Sequence, residues 1–397
     1  MRVPLLDLQA QYVQIQSEIE PVVIDILRSG RYIMSEHVKS FEKNSAEFLG
    51  AKHSISCANG SDALYISLLA LDVKAGDEVI TTPFTYIASA EAIDQVGAKP
   101  VFADIDLNNF NISPEKIEEK ITNKTKAIIV VHLFGQASNM DAILKIAKKN
   151  NIKVIEDTAQ AFGTKFTGAD SKEFNAGAIA DIGTYSFYPT KNLSCAGDGG
   201  LMTTNDDELA ARLRRIKAHG SDKRYYHSEI GVNSRLDEIQ AAILDAKLQL
   251  INKWNESRAK NAEIYFSELA DLEKAGLIKL PRKESYSTHI YHQFSILVSP
   301  DSKESASLRN GLKEFLSQRE IGSEIYYPLA LHEQEVYKYL NYESDDFPNS
   351  VIASNAVLSL PVYPELTNEQ IKFVCDSIKD FFKNNSELRV EAKAALA

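Results

Sequence analysis

An α/β fold is predicted for most of this chain: a mainly parallel sheet flanked by helices, with a smaller α+β unit after it. Three observations predict it. Short apolar runs alternate with amphipathic stretches from about residue 50 to residue 204. At 397 residues the chain can bury more than one core, so two domains are expected, 1–250 and 251–397. Past Ile278 the alternation stops and the texture changes.

The elements follow in order. A short strand is expected at His53–Ser56, running into an apolar helical stretch after Gly60. Further strands are expected at Glu78–Thr81, Pro100–Ala103, Ala127–Val131, Lys153–Ile155, Ile182–Phe187 and Leu201–Thr203. Asp141–Lys149 reads as a helix between two of them, and Asp206–Lys217 as another. Arg235–Leu269 reads as one long helix that can link the domains. Beyond it, Ile290–Val298 and Ile321–Tyr327 read as strands and Asn368–Phe382 as a terminal helix. The Ala-rich tail Ser386–Ala397 reads as a helix extension or an appended segment.

Composition narrows the function classes. Hydrophobic content of 44% and charged content of 25% are ordinary for a soluble globular protein. A net charge of −11 argues against a nucleic-acid binder. The cysteines Cys57, Cys195 and Cys375 are odd in number and lack metal spacing, which fits a reducing cytoplasm. The N-terminus lacks the apolar core of a signal peptide, and no apolar run approaches a membrane span. The eight histidines include no tight metal-binding pair; His289 and His292 are expected to face opposite sides of a strand. A metal site is therefore not expected.

Lys191 is the most informative residue. Ser186 precedes it by five positions, and Gly197-Asp-Gly-Gly200 follows. A reactive amine beside an anion site suggests pyridoxal phosphate, whose aldehyde condenses with a lysine amine. A solvated loop lysine is the plain alternative. Asp157 ends the strand that begins near Lys153, at the sheet edge where ligands bind in open α/β folds. There it can pair with a protonated pyridine nitrogen, while Glu156 points to the opposite side of the strand. Capping a following helix is the plain alternative for Asp157. Gln160 is placed to donate to the ring's phenolate oxygen. Gly60 and Ser61 open an apolar helix whose free amides suit a phosphate, with Asp62 next to them. An ordinary cap by Asn59 or Ser61 explains that segment equally. Tyr86 can lie flat on a pyridine ring or belong to the core. Asn233 and Arg235 precede the long helix and can reach an anionic group, or act as a cap and a solvated side chain.

Taken together and in order, these windows resemble the sugar aminotransferases of the DegT/DnrJ/EryC1/StrS type. The most specific pieces are Ser186-Phe-Tyr-Pro-Thr-Lys-Asn-Leu193, Glu156-Asp-Thr-Ala-Gln160 and Asn233-Ser-Arg-Leu-Asp-Glu-Ile-Gln-Ala-Ala242. The resemblance runs from Leu5-Leu-Asp-Leu8 to Ile325–Gln334. It implies a fold type I enzyme dependent on pyridoxal phosphate. It implies Lys191 as the cofactor-binding lysine, Asp157 as the pyridine-nitrogen partner, Gln160 as the phenolate contact and Tyr86 as the stacking ring. Gly60, Ser61 and Ser186 then belong to the phosphate site, and Asp62 to the cofactor-binding residues. Asn233 is implied to reach the cofactor phosphate of a second subunit, hence a homodimer with composite sites, with Arg235 close to the sugar. Tyr327 and His332 match positions near the sugar pocket, although an ordinary hydrogen-bonded histidine explains His332 as well.

Three windows are similar to the branch that aminates carbon 3: Ser56–Leu64, Phe84–Glu91 and His219–Arg235. They are especially similar to enzymes acting on UDP-2-acetamido-3-keto-glucuronic acid on the way to surface polysaccharides, with L-glutamate as the family's usual amino donor. Arg235 is the candidate fork for a substrate carboxylate. Three alternatives stand beside this: a dTDP-linked 3-keto-6-deoxy sugar as substrate, a dehydratase of the same fold, and a non-catalytic sugar-nucleotide-binding regulator. The dehydratases carry histidine where this chain has Lys191. Retention of Lys191, Asp157, Gln160 and Ser186 weighs against the regulator.

Overall fold

The computed structural model describes residues 1–384. Two helices, α1 (Leu8–Ser29) and α2 (Glu36–Leu49), precede the large sheet. Its first five strands are β1 (His53–Cys57), β2 (Glu78–Thr81), β3 (Lys99–Phe102), β4 (Thr125–Val131) and β5 (Lys153–Asp157). Between them lie α3 (Gly60–Ala70), α4 (Ala88–Gln95), α5 (Pro114–Lys120) and α6 (Met140–Asn150). A hairpin of β6 (Lys165–Thr167) and β7 (Glu173–Asn175) stands off the sheet. β8 (Ile182–Ser186) and β9 (Gly200–Thr204) then complete it.

The strand order is β1-β9-β8-β5-β4-β2-β3. β8, β5, β4, β2 and β3 run parallel. β9 runs antiparallel to both neighbours, β8 and β1. Both faces are covered, as a parallel sheet requires. Alternating residues of β4 show this: Ala127 and Ile129 pack with α3 and α4, whereas Ile128 and Val130 pack with α6.

After β9 come α7 (Asp207–Ile216), a small hairpin of β10 (Ser221–Lys223) and β11 (Tyr226–His227), and α8 (Glu238–Leu248). The predicted single helix Arg235–Leu269 is in fact two, α8 and α9 (Ile251–Lys274). At the break Leu250 N–H bonds Lys247 O instead of the carbonyl four residues back, so the turn tightens. Leu248 and Ile251 are both buried across it, which keeps the apolar period intact and hides the break from the sequence. The helix also starts later than expected, because Ser234 N and Glu238 N bond carbonyls of Lys217 and Tyr32.

The C-terminal unit contains β12 (Ile278–Lys279), α10 (Ser305–Gln318), β13 (Phe294–Val298), α11 (Pro348–Ala356), β14 (Val357–Leu360) and α12 (Asn368–Asn384). The order β12-β13-β14 is antiparallel throughout. Its core takes in α9, α10 and α12 and also Val3, which bridges to Ile321. The first residues thus join the C-terminal core across the expected division at residue 250. Two strand expectations fail here. Residues 290–293 are not strand, because Ile290 N and His292 N bond the carbonyls of Gly135 and Phe134. Residues 321–327 make only isolated bridges, Ile321 to Val3 and Glu324 to Ser359. The tail expectation, Ser386–Ala397, lies outside the described residues. No described helix is long and apolar enough to cross a membrane.

Candidate active site

A cavity of about 780 Å³ opens at the carboxyl ends of β5 and β8. It is the place the strand-end rule points to. Gly60, Ser61, Asp62, Tyr86, Asp157, Gln160, Ser186, Lys191 and Tyr327 all line it.

Asp157 ends β5 and is buried. Ser89 Oγ donates to its Oδ2 at 2.7 Å, and Ala159 N donates to Oδ1 at 3.2 Å. No helix follows it, so its role is not a cap. Its neighbour Glu156 faces the other side, as alternation requires. There it accepts from Gly177, Ile179 and Ala180 backbone N–H groups at 2.8–2.9 Å and contacts His132 Nε2 at 2.9 Å. Ser89 was not anticipated as a site residue. It lies three positions after Tyr86, and that spacing was the available signal.

Lys191 follows β8 on a turn in which its N–H bonds Tyr188 O. Burial pushes its amine down to about 8, against a raising influence from Asp157. A larger neutral fraction makes it a better base and nucleophile near pH 7. Among the described residues no hydrogen bond or ion pair holds its amine.

α3 begins at Gly60, with Asn59 as cap: its Oδ1 accepts from Asp62 N at 2.8 Å. The Gly60 and Ser61 amides precede the first intrahelical bond and remain available to an anion at the positive helix end. A Cβ on Gly60 would sit 2.6 Å from Ser186 Cβ. The close approach of the turn to β8 therefore requires glycine. Tyr86 lies in the turn before α4 rather than inside a helix, and it is 60% exposed. Its ring centroid is 6.3 Å from that of Tyr327. Gln160 accepts from Phe134 N at 2.7 Å and donates to the Tyr327 hydroxyl at 3.1 Å, so its amide orientation is set. Burial pushes the Tyr327 phenol well up.

These groups fit pyridoxal phosphate. A carboxylate with spare acceptor capacity, a depressed lysine and a helix start that only glycine allows lie around one cavity. Asp157 would hold the ring nitrogen, Gly60, Ser61 and Ser186 the phosphate, and Lys191 the aldehyde carbon.

Three expected site residues do not line this cavity. Asn233 is exposed and pairs by its backbone with Ala218. Arg235 is half-buried outside the cavity. Their segment is tied to the phosphate turn by Ala58 N, which donates to Ser234 Oγ at 3.0 Å. His332 is buried against Phe347, with ring centroids 4.7 Å apart, in an aromatic cluster with Phe102 and Tyr337. Thr85, Tyr188, Asp198, His292, Gln293 and Tyr326 complete part of the wall and were not expected there.

The profile of the DegT/DnrJ/EryC1/StrS aminotransferase family matches residues 13–379. The chain belongs to this family. Its enzymes depend on pyridoxal phosphate, and a solved relative from Bacillus subtilis at 31% identity holds the cofactor in its amine form (TM-score 0.85, 96% of this chain, 85% of that one). The Streptomyces venezuelae aminotransferase DesV, solved with a ketimine intermediate, superposes with a TM-score of 0.90 at 35% identity over 96% of this chain and 98% of that one. Curated relatives include the UDP-2-acetamido-2-deoxy-3-oxo-D-glucuronate aminotransferase of Pseudomonas aeruginosa, 40% identical over 95% of this chain and 99% of that one. A pleiotropic regulatory protein of Geobacillus stearothermophilus is 45% identical over 97% of this chain and all of its own length. The sheet and its flanking helices thus belong to an aminotransferase fold.

Proposed function

We propose that this enzyme transfers an amino group, from L-glutamate, to the 3-keto carbon of a nucleotide-linked sugar. UDP-2-acetamido-2-deoxy-3-keto-glucuronic acid is the best substrate candidate. The observation that carries the reading is the convergence of Lys191, Asp157 and the Gly60 turn on one cavity. The relatives support carbon 3. Beside the P. aeruginosa enzyme, a dTDP-3-amino-3,6-dideoxy-alpha-D-galactopyranose transaminase of Aneurinibacillus thermoaerophilus is 41% identical over 96% of this chain.

When bound, pyridoxal phosphate supplies an aldehyde carbon and an electron-accepting ring. Asp157, steadied by Ser89, would hold the ring nitrogen protonated. Lys191 would hold the aldehyde carbon through its Nζ. As a free amine, that Nζ would take a proton from the donor's α-carbon, and as an ammonium it would return one to the sugar carbon that receives the amine. Tyr86 would lie against the ring, and Gln160 and Tyr327 would hold its surroundings.

A homodimer completes the site in this reading. Asn233 would reach the partner's phosphate, and Arg235 the sugar carboxylate. Large exposed apolar side chains nearby in sequence support a covered surface: Ile230 is 93% exposed and Tyr225 78%. Domains at 1–250 and 251–397 remain part of the proposal, with Val3 assigned to the second core.

A regulator is the second reading, favoured by the 45% identity to a protein of that name. The depressed amine and the Gly60–Ser186 contact favour the enzyme, since neither helps a protein that only binds a sugar nucleotide.

The test loads the protein with pyridoxal phosphate, adds glutamate, removes it, and offers 3-keto sugars linked to UDP or dTDP. The expected result is a mass gain matching amine for keto oxygen on the UDP uronic acid. Amination of the dTDP sugar alone moves the substrate assignment; no exchange with any donor hands the case to the regulator.

A further inference from the structure

Lys247 is a second buried amine, and the reading above gives it no part. It lies near the end of α8 with 7% of its surface exposed. Its Nζ donates to the Ser194 carbonyl at 2.8 Å and to Ser194 Oγ at 3.0 Å. Among the described residues it makes no ion pair. Burial pushes its amine down to about 8, with the Cys195 thiol acting the other way. A lysine is almost never this buried without an acid beside it, because desolvating the amine is costly. Something must offset that cost.

Ser194 belongs to the loop that carries Lys191. The loop leaves the end of β8 at Phe187, and its base is closed where Cys195 N bonds Phe187 O at 2.8 Å. Lys191 sits at the turn, with its N–H on Tyr188 O at 2.8 Å. Beyond the turn, three side chains from α8 and α9 hold alternate residues. Asn255 Oδ1 accepts from Asn192 Nδ2 at 2.8 Å, and Asn192 Oδ1 lies 3.0 Å from His292 Nδ1. Lys247 holds Ser194. Gln240 accepts from Ala196 N at 2.8 Å and donates to Ala196 O at 3.2 Å. The Gln240 bonds are open to water, whereas those of Lys247 are buried and engage the loop's main chain. Leu193, between the first two holds, is fully buried in the core that also contains Leu244 and Leu248 of α8.

We propose that Lys247 is a positioning residue for Lys191: by holding both oxygens of Ser194 it pins the loop against α8 and keeps the Lys191 amine in its place on the cavity wall. An apolar side chain of equal length would fill the same space but would leave the buried Ser194 carbonyl unpaired, which is the reason for an amine here. The consequence for amino transfer rests on the transamination reading; the pin itself belongs to the protein without cofactor.

The test starts on cofactor-free protein. Alkylation of Lys191 as a function of pH, followed by mass spectrometry of its peptide, gives that amine's apparent pKa. Hydrogen–deuterium exchange reports on the loop. Lys247→Met keeps the bulk and removes both bonds, whereas Lys247→Gln keeps a donor. In Lys247→Met, peptides spanning 188–196 are expected to exchange about 10-fold faster, and the Lys191 pKa to rise by about one unit as water reaches the ammonium. β4 and β5 are expected to exchange as in wild type, which a general loss of stability would not allow. Lys247→Gln is expected to recover most of both effects. An unchanged pKa and loop in Lys247→Met, or exchange quickened as much in the sheet as in the loop, overturns the proposal. Where Lys247→Met does not fold, Ser194→Ala decides. With one acceptor lost, its loop is expected to exchange about 3-fold faster and its Lys191 pKa to rise by about half a unit, and wild-type values overturn the pin. A loosened loop in a protein that forms no lysine-bound cofactor band sinks the transamination reading and leaves the pin standing; a normal band with an unmoved loop does the reverse.

Discussion

Glu156 and Asp157 are adjacent on β5 and serve opposite regions of the molecule. Behind the strand, Glu156 has no exposed surface and is saturated by three amides and an imidazole. In front, Asp157 accepts from one hydroxyl and one amide and faces a cavity. A carboxylate offers about four acceptor positions. The first acid has spent them on the fold, and the second keeps some for a ligand. The difference teaches how to separate a structural from a chemical acid: count the partners that remain free.

Exchanging the two roles is the strongest way to break this comparison. Asp157→Asn should slow glutamate-driven conversion of the bound cofactor by about 10²–10³-fold, because the ring nitrogen loses its ionic partner. Its unfolding midpoint should barely move. Glu156→Ala should do the opposite. It strands three buried amides and the His132 ring, at a cost on the order of 3–5 kcal/mol, read by denaturant unfolding. Equal stability losses in both variants would erase the distinction.

Gly60→Ala comes next. The added methyl must displace Ser186 or the turn, so cofactor affinity should fall about 10–100-fold, measured by fluorescence titration. Lys191→Met gives a pH signature in cofactor-free protein. The folded state holds this amine at about 8 against an ordinary 10.5, so it disfavours the ammonium. That cost is full below pH 8 and vanishes as pH rises towards 10.5. Wild type should therefore gain roughly 2–3 kcal/mol relative to Lys191→Met between pH 7 and pH 10.5. Ser89→Ala is the mildest change. Asp157 loses one hydrogen bond, and the half-reaction should slow about 10-fold while the fold holds.

The large sheet was legible because its strands are short apolar runs between clear helices, and all seven lie within a few residues of their expected positions. The cavity side of the site was legible for a related reason: strand ends and helix starts fix Asp157, Lys191 and Gly60 through local chain geometry. Other parts were hidden. The break between α8 and α9 preserves the apolar period. Residues 321–327 look like a strand but find different partners along their length. Ser89 and His292 become site residues only through long-range packing, Ser89 across to β5 and His292 through Asn192 and Asn255. Asn233 and Arg235 lie outside the chain's own cavity, where a composite site would need them.

The most direct measurement is the absorbance of the protein loaded with pyridoxal phosphate, before and after glutamate, for wild type and Lys191→Ala side by side. The expected result is a band of lysine-bound cofactor in wild type that glutamate bleaches and a 3-keto nucleotide sugar restores, with neither change in Lys191→Ala. Identical spectra from the two proteins, or a wild-type band that glutamate leaves untouched, would contradict the assignment of amino transfer to this cavity.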